Sequence, residues 1–399
     1  MMVPHVEACA RVSHSRALAD ERALALTAGE LMDVRRRVPI PIAFDAQWMK
    51  PGKAMNAPDG YGVVIGGRTG KCIMSAYRTK VGELKNHSGS SGSMEPSMGA
   101  EVVVRLGSEP TEVYVKQLCM DLDSKTPKAV AEAVCAQRVQ HPSLQIPQKL
   151  HDPNHFIKAL RKRLMKVKKL LHTNNVLPPA TQKQLGDEVA MAVHQHRGSR
   201  VGIDHLRAAI WNVLDHAFNQ HGKCRQFFAC PCAPDEHGVI SRVKSSYKDG
   251  MWLNEAGGPQ HADNLFKLLK KEFMVITSDD HLNALNHVYN TQVCEAVNSL
   301  HASMHPKRRD MSRTPVGRAT HMLATARFND GLLRSTQEVL RRFGLDLGIV
   351  GQIVLAKKDK ERQRVSAYKK SLNGKRKRKH LKQKRIAKTT TAHAWTSYV

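Results

Sequence analysis

Glu112-Val113-Tyr114-Val115-Lys116-Gln117-Leu118-Cys119-Met120-Asp121-Leu122-Asp123-Ser124-Lys125 is the stretch on which the fold turns. Glu112–Met120 reads as a β-strand, rich in β-branched and apolar residues, and Asp121 stands at its end. Thr126 to Arg138 then reads as a helix. Upstream, three shorter runs have strand character: Val38–Phe44, Tyr61–Ile65 and Lys71–Tyr77. The last two are joined by Gly66-Gly67-Arg68-Thr69-Gly70, a turn that suits an antiparallel meander. A helix is expected from Met94 to about Leu106. Leu144–Leu150 is a fifth strand, which Pro147 confines to an edge or an irregular course. The order is three antiparallel strands, helix, strand, helix, strand, helix. That is an α/β fold with the element order of a ribonuclease-H-like core.

The acids fall at informative places in this order. Asp45, in Phe44-Asp45-Ala46-Gln47-Trp48, ends the first strand, and Asp121 ends the fourth. Glu295 lies far downstream in Asn290-Thr291-Gln292-Val293-Cys294-Glu295-Ala296-Val297-Asn298, which opens a helical segment. Three carboxylates on separate elements are the oxygen ligands that a two-metal phosphoryl-transfer site requires, with Mg²⁺ or Mn²⁺ as the cations. Asp123 competes with Asp121, because residues two apart on an extended segment face the same side. Asp121 is preferred because it abuts the strand.

Composition points to a polyanionic partner. The 399 residues carry a net charge of +28. The excess is dense over Lys357–Lys388, but basic clusters also occupy Lys158–Lys169 and Lys307–Arg318. Nucleic acid is the commonest partner for such a distribution. The helix bearing Arg161-Lys162-Arg163 is one candidate DNA-binding face. Lys375-Arg376-Lys377-Arg378-Lys379 is another, and also a candidate nuclear import signal. Eight scattered cysteines do not make a secreted disulfide framework. No apolar run is long enough to span a membrane, so no membrane role is expected.

Beyond Asn154 the periodicity is helical, with candidates at Phe156–Leu171, Glu188–His196, His205–Phe218, His261–Phe273, Gln292–Met304 and Ala319–Phe343. The resulting organisation is a helical or partly ordered lead-in over 1–36 and the first part of the core over 37–175. A mostly α-helical insertion with a Cys/His loop follows over 176–284. The core is completed over 285–356, and 357–399 is a basic tail expected to be disordered. In the loop-rich stretch, Cys224, Cys230, Cys232 and His237 form a candidate structural zinc set, with His216 and His221 as substitutes and buried thiols as the alternative.

The motifs in order resemble those of Mutator-like transposases. Asp45 with Trp48 matches an acid followed by Trp. Gly89-Ser90-Ser91-Gly92-Ser93-Met94-Glu95 matches a Ser-Gly loop, and Met120–Lys125 matches a Gly-Asp-Gly-Asp-Ser-Lys stretch with Met120 and Leu122 at its glycines. Asp152-Pro153-Asn154-His155 stands where that family has Cys-x-x-His, and Cys294–Asn298 where it has Asn-Glu-Ser-Phe-Asn. Phe328-Asn329-Asp330-Gly331 is intact. The resemblance implies a ribonuclease-H-like core with a helical insertion, and DNA cleavage and strand transfer by an Asp45-Asp121-Glu295 triad. Element ends and target DNA would be the partners, the nucleus the location, and a homo-oligomer a further expectation. The alternative is a non-catalytic nuclear DNA-binding descendant. No amino-terminal DNA-binding zinc finger is recognisable, as in a fragment or shortened copy. His155 either supports the triad and orients a phosphate or is a capping or core histidine. Asn298, one turn after Glu295, either reaches the metal shell or DNA or is a surface amide. Asn329 and Asp330 are read as structural.

Overall fold

A computed structural model of the chain describes residues 2–49, 56–108, 112–122, 124–142, 144–170, 177–198, 202–227, 230, 232, 252–255, 259–305, 311–378 and 380–381. In chain order the elements are α1 (Met2–Thr27), β1 (Val38–Trp48), β2 (Asp59–Gly66), β3 (Cys72–Thr79), α2 (Met94–Gly107), β4 (Val113–Met120), α3 (Lys125–Gln137), β5 (Gln148–His151) and α4 (Pro153–Leu170). There follow α5 (Pro179–His196), α6 (Ile203–Ala217), α7 (Cys224–Phe227), α8 (Pro259–Ile276), α9 (Asp279–Leu285), α10 (Gln292–Met304), α11 (Pro315–Arg341) and α12 (Ile349–Lys370).

The five strands form one mixed sheet in the order β3-β2-β1-β4-β5. β1–β2 and β2–β3 are antiparallel, whereas β1–β4 and β4–β5 are parallel. β1 is central and still contains Pro39 and Pro41, which cannot donate to a ladder. The pairing with β4 accommodates this by a register shift between Ile40 and Pro41. β5 is shorter than its apolar run, beginning at Gln148, immediately after Pro147.

Two apolar cores cover the sheet's faces. One packs α1, α2 and α3 through Ala17, Met98, Val102, Leu106, Val130 and Val134 against Ile40, Ile42, Phe44 and Val115. On the other face Cys294 and Val297 of α10 pack on Ala43, Val63, Ile65, Cys119 and Leu150. A third core joins α4 to the helices α5–α9, through residues such as Leu160, Leu164, Leu185, Leu214 and Leu269. The helical insertion thus packs its own interior against α4 and reaches the sheet through α9, which lies on the β5 edge.

The lead-in is part of the fold. Glu21 of α1 is buried and accepts the Arg68 and Thr69 backbone N–H groups at 2.9 and 2.8 Å, holding the β2–β3 turn. The intact Phe328–Gly331 motif is structural. Asn329 Oδ1 accepts the Cys72 N–H at 2.8 Å and its Nδ2 donates to the Cys72 carbonyl at 2.7 Å, so one side chain pairs with the edge of β3 as a strand would. Gly331 adopts φ 83°, ψ 179° and kinks α11. Asp359 of α12 then accepts the Leu332 and Leu333 N–H groups at 2.9 and 3.0 Å, capping the second half of α11. The segment expected to be a disordered tail from 357 therefore begins inside a helix. Its sequence is dense in good helix formers, yet α12 buries none of its residues.

Candidate active site

Asp45 and Asp121 are brought together by register. Ala43 of β1 pairs with Cys119 of the neighbouring parallel β4. Two residues on, Asp45 within β1 shares the face of Ala43 and Cys119 by period-two alternation, and Asp121 follows just past the end of β4, near enough for its charge to act on the Asp45 carboxyl. That face is the one α10 covers, and α10 carries the third acid. With Cys294 and Val297 buried against the sheet, Glu295 is exposed at the helix flank and Asn298 turns inward. Asn298 Nδ2 donates to Asp45 Oδ2 at 2.9 Å.

Electrostatics tie the three acids together. The Asp45 carboxyl is pushed up to about 7, first by burial, then by the negative charge of Asp121 and, less strongly, of Glu295. The Ala46 N–H and the Asn298 amide oppose this and are outweighed. Among the described residues no lysine or arginine forms an ion pair with any of the three. Asp121 instead meets His155, whose Nδ1 lies 3.0 Å from Asp121 Oδ2. That hydrogen bond raises the His155 pKa above its ordinary value, against the opposing effect of burial.

Asp152 fixes the geometry from beneath. It follows β5 and is 0% exposed. Oδ1 accepts the Asn154 and His155 N–H groups at 2.7 and 3.1 Å, capping α4. Oδ2 accepts the Thr291 N–H at 2.6 Å and the Thr291 hydroxyl at 2.9 Å. Thr291 immediately precedes α10. One carboxylate thus joins the start of the helix that bears His155 to the start of the helix that bears Glu295. Burial pushes its pKa up, but the bonds from Thr291, His155 and Asn154 prevail and hold it below the usual carboxylate value. Sequence reasoning saw Asp152 only as a replaced cysteine. The Asp-x-x-His spacing at a helix start was the signal for a cap.

The other expected residues are distributed as follows. Asp123, His237 and Lys379 lie outside the described residues. Arg161 and Arg163 point into the helical insertion, where they pair with Asp187 and, at 2.8 Å, with Glu272. Lys158, Lys162, Lys166 and Lys169 are exposed on that helix, and Lys375, Arg376, Lys377 and Arg378 are exposed as well. Cys224 and Cys230 converge with His216 and His221, all four ligand atoms lying within 4.8 Å of one another. Cys232 is buried nearby. Among the described residues no helix is long and apolar enough to cross a membrane.

The family model for Mutator-like transposases matches residues 2–230, more than half of the chain, and includes Asp45, Asp121, Asp152 and His155 but not Glu295. No curated protein and no solved structure matches. A match of that extent, running from α1 through the sheet into the helical insertion, assigns the chain: it belongs to the Mutator-like transposase family.

Proposed function

We propose that the protein cleaves DNA at the ends of a transposable element and joins the freed 3′-hydroxyl to target DNA, using Asp45, Asp121 and Glu295 as ligands for divalent cations. The observation that carries this reading is the placement of the acids: Asp45 on β1 is bonded at 2.9 Å by Asn298 of α10, the helix that also bears Glu295, Asp121 follows the neighbouring β4, and no lysine or arginine forms an ion pair with any of the three among the described residues. Hard, anionic oxygen donors without a basic counter-charge fit Mg²⁺ or Mn²⁺. The strand order β3-β2-β1-β4-β5, antiparallel then parallel, is that of a ribonuclease-H-like core and supports the same reading. Bound there, divalent cations would supply activation of the attacking oxygen and neutralisation of charge on the leaving oxygen.

The chain's own groups do the rest. Asn298 orients Asp45, and His155 orients Asp121 while retaining its proton more readily than a free imidazole. A protonated His155 beside the acids would attract a phosphate of the bound strand. Exposed Lys162, Lys166 and Lys169, with the Lys375–Arg378 run, would hold the DNA backbone. The same run would serve as a nuclear import signal.

The test is strand cleavage on DNA carrying the element's own terminal inverted repeats. Cleavage in Mg²⁺ or Mn²⁺ and none in metal-free buffer is expected. DNA binding without cleavage under either cation would instead identify a non-catalytic descendant.

A further inference from the structure

The chain turns back sharply at the end of α6. Asn219 takes φ 63°, its N–H donates to the His216 carbonyl at 3.1 Å, and the Gln220 N–H donates to the Asp215 carbonyl at 2.9 Å. These are the paired bonds of a left-handed helix cap. The reversal carries His221 and Cys224 back over His216, and Cys230 closes the group. Cys224 Sγ lies 3.6 Å from His216 Nδ1 and 3.7 Å from His221 Nδ1. Cys230 Sγ lies 3.6 Å from each of the same two nitrogens, and the nitrogens are 3.1 Å apart.

Zn–S bonds of ~2.3 Å and Zn–N bonds of ~2.0–2.1 Å at tetrahedral angles set S···N edges of about 3.6 Å and N···N edges of about 3.4 Å. The four S···N edges match a tetrahedron sized for that ion, and the N···N edge of 3.1 Å is somewhat shorter. His221 Nε2 lies 3.0 Å from Asn219 Oδ1, an acceptor, so the ring hydrogen sits on Nε2 and the Nδ1 lone pair faces the group. A proton could bridge one pair of these atoms, whereas a cation accounts for all five separations together. Trp252, 3% exposed, stacks edge-on to both imidazoles at 5.4 and 4.8 Å and shields the group from water. The buried Asn212 carboxamide lies against Cys224, where its NH₂ can donate to the sulfur.

We propose that His216, His221, Cys224 and Cys230 bind one structural Zn²⁺ ion, which locks the turn after α6 into the core of the helical insertion. Four protein ligands complete the coordination and leave no open position, so the ion holds structure and performs no chemistry. Cys232 is not a ligand. The site is separate from the three acids and draws on different ligands, two of them imidazoles that no Cys-x-x-Cys spacing announces.

Metal analysis of the purified full chain tests this. Close to one zinc per chain is expected. A Co²⁺-substituted protein should show the intense visible bands of a tetrahedral site and sulfur-to-cobalt charge transfer in the near ultraviolet. Cys224→Ser and His216→Ala should each lose the zinc, whereas Cys232→Ser and Glu295→Gln should keep it. Should the ligand variants fail to fold, the cobalt spectrum of the wild type still decides. Zinc below about a tenth of an equivalent, an octahedral cobalt spectrum, a Cys224–Cys230 disulfide in the native protein, or zinc retained by Cys224→Ser would each overturn the proposal.

Discussion

Asp152→Ala should break the joint between α4 and α10. The loss can be summed from the bonds removed. Losing a helix cap costs about 1 kcal/mol. Thr291, 1% exposed, would be left with a buried N–H and a buried hydroxyl whose shared acceptor is gone, at about 1–3 kcal/mol for such an unsatisfied group. With two such groups, about 3–7 kcal/mol is expected together, a large share of the roughly 5–15 kcal/mol by which native domains are stable. Asp152→Asn should cost less, since its remaining oxygen can keep capping α4 while its NH₂ faces the Thr291 N–H. Urea unfolding of the full chain at pH 7, with an unchanged denaturant slope, measures both. Hydrogen exchange at the Thr291 amide locates the damage. The carboxylate's pKa is lower in the folded chain than unfolded. Its stabilising effect is therefore complete above the ordinary value of about 3.9 and lost as pH falls through the depressed value. The gap between wild type and Asp152→Asn should thus be level from pH 8 to about 5 and close only below about 4. A loss under about 1 kcal/mol for the alanine variant, or unchanged exchange at Thr291, would refute the reasoning.

Asp45 behaves in the opposite sense. Its folded pKa of about 7 exceeds the unfolded value of about 3.9, so between those values the folded chain holds a proton that the unfolded chain releases, and stability falls as pH rises. In magnesium-free buffer Asp45→Asn should raise the melting temperature at pH 8 and much less at pH 5; equal shifts at the two pH values would contradict this. Gly331→Ala should destabilise the chain by about 1–3 kcal/mol, because φ 83°, ψ 179° is essentially reserved to glycine and a Cβ would lie 2.7 Å from Asp359; thermal unfolding measures it. Removing residues after Ser371 spares Asp359 and should leave the melting temperature unchanged. It should also flatten the plot of log DNA affinity against log salt, by about 0.9 in slope for every phosphate that the basic run neutralises. Equal slopes would show that the run neutralises none.

The sheet was legible because its strands are apolar runs bounded by turns, and Asp121, just past β4, was legible for the same reason; β1, expected to end at Phe44, continues to Trp48, so Asp45 lies inside the strand. α9 has seven residues, too few for helical periodicity to register. α12 escapes a sequence reading because its composition is that of a charged tail; the capping of Leu332 and Leu333 by Asp359 is a tertiary interaction that no local pattern encodes. The ligand set around Cys224 was legible only in part. The cysteines were visible and His216 and His221 stood as substitutes, but His216 sits at a helix end and joins the set, where Cys232 was expected, only through the left-handed turn at Asn219. Glu295 was placed from its motif, while the partner that holds its helix, Asp152, looked like a mere departure from a family residue.

Glu295→Gln, compared with wild type on the same element-end DNA, bears most directly on the three-acid site. Glutamine keeps the shape of glutamate but removes the charge that would hold a cation. Binding would rest on lysine and arginine contacts to phosphates, which that change leaves alone. Strand cleavage in Mg²⁺ or Mn²⁺ should fall to background while DNA affinity stays within about twofold. Cleavage undiminished in the variant would mean that Glu295 holds no cation and that the site does not work as three acids.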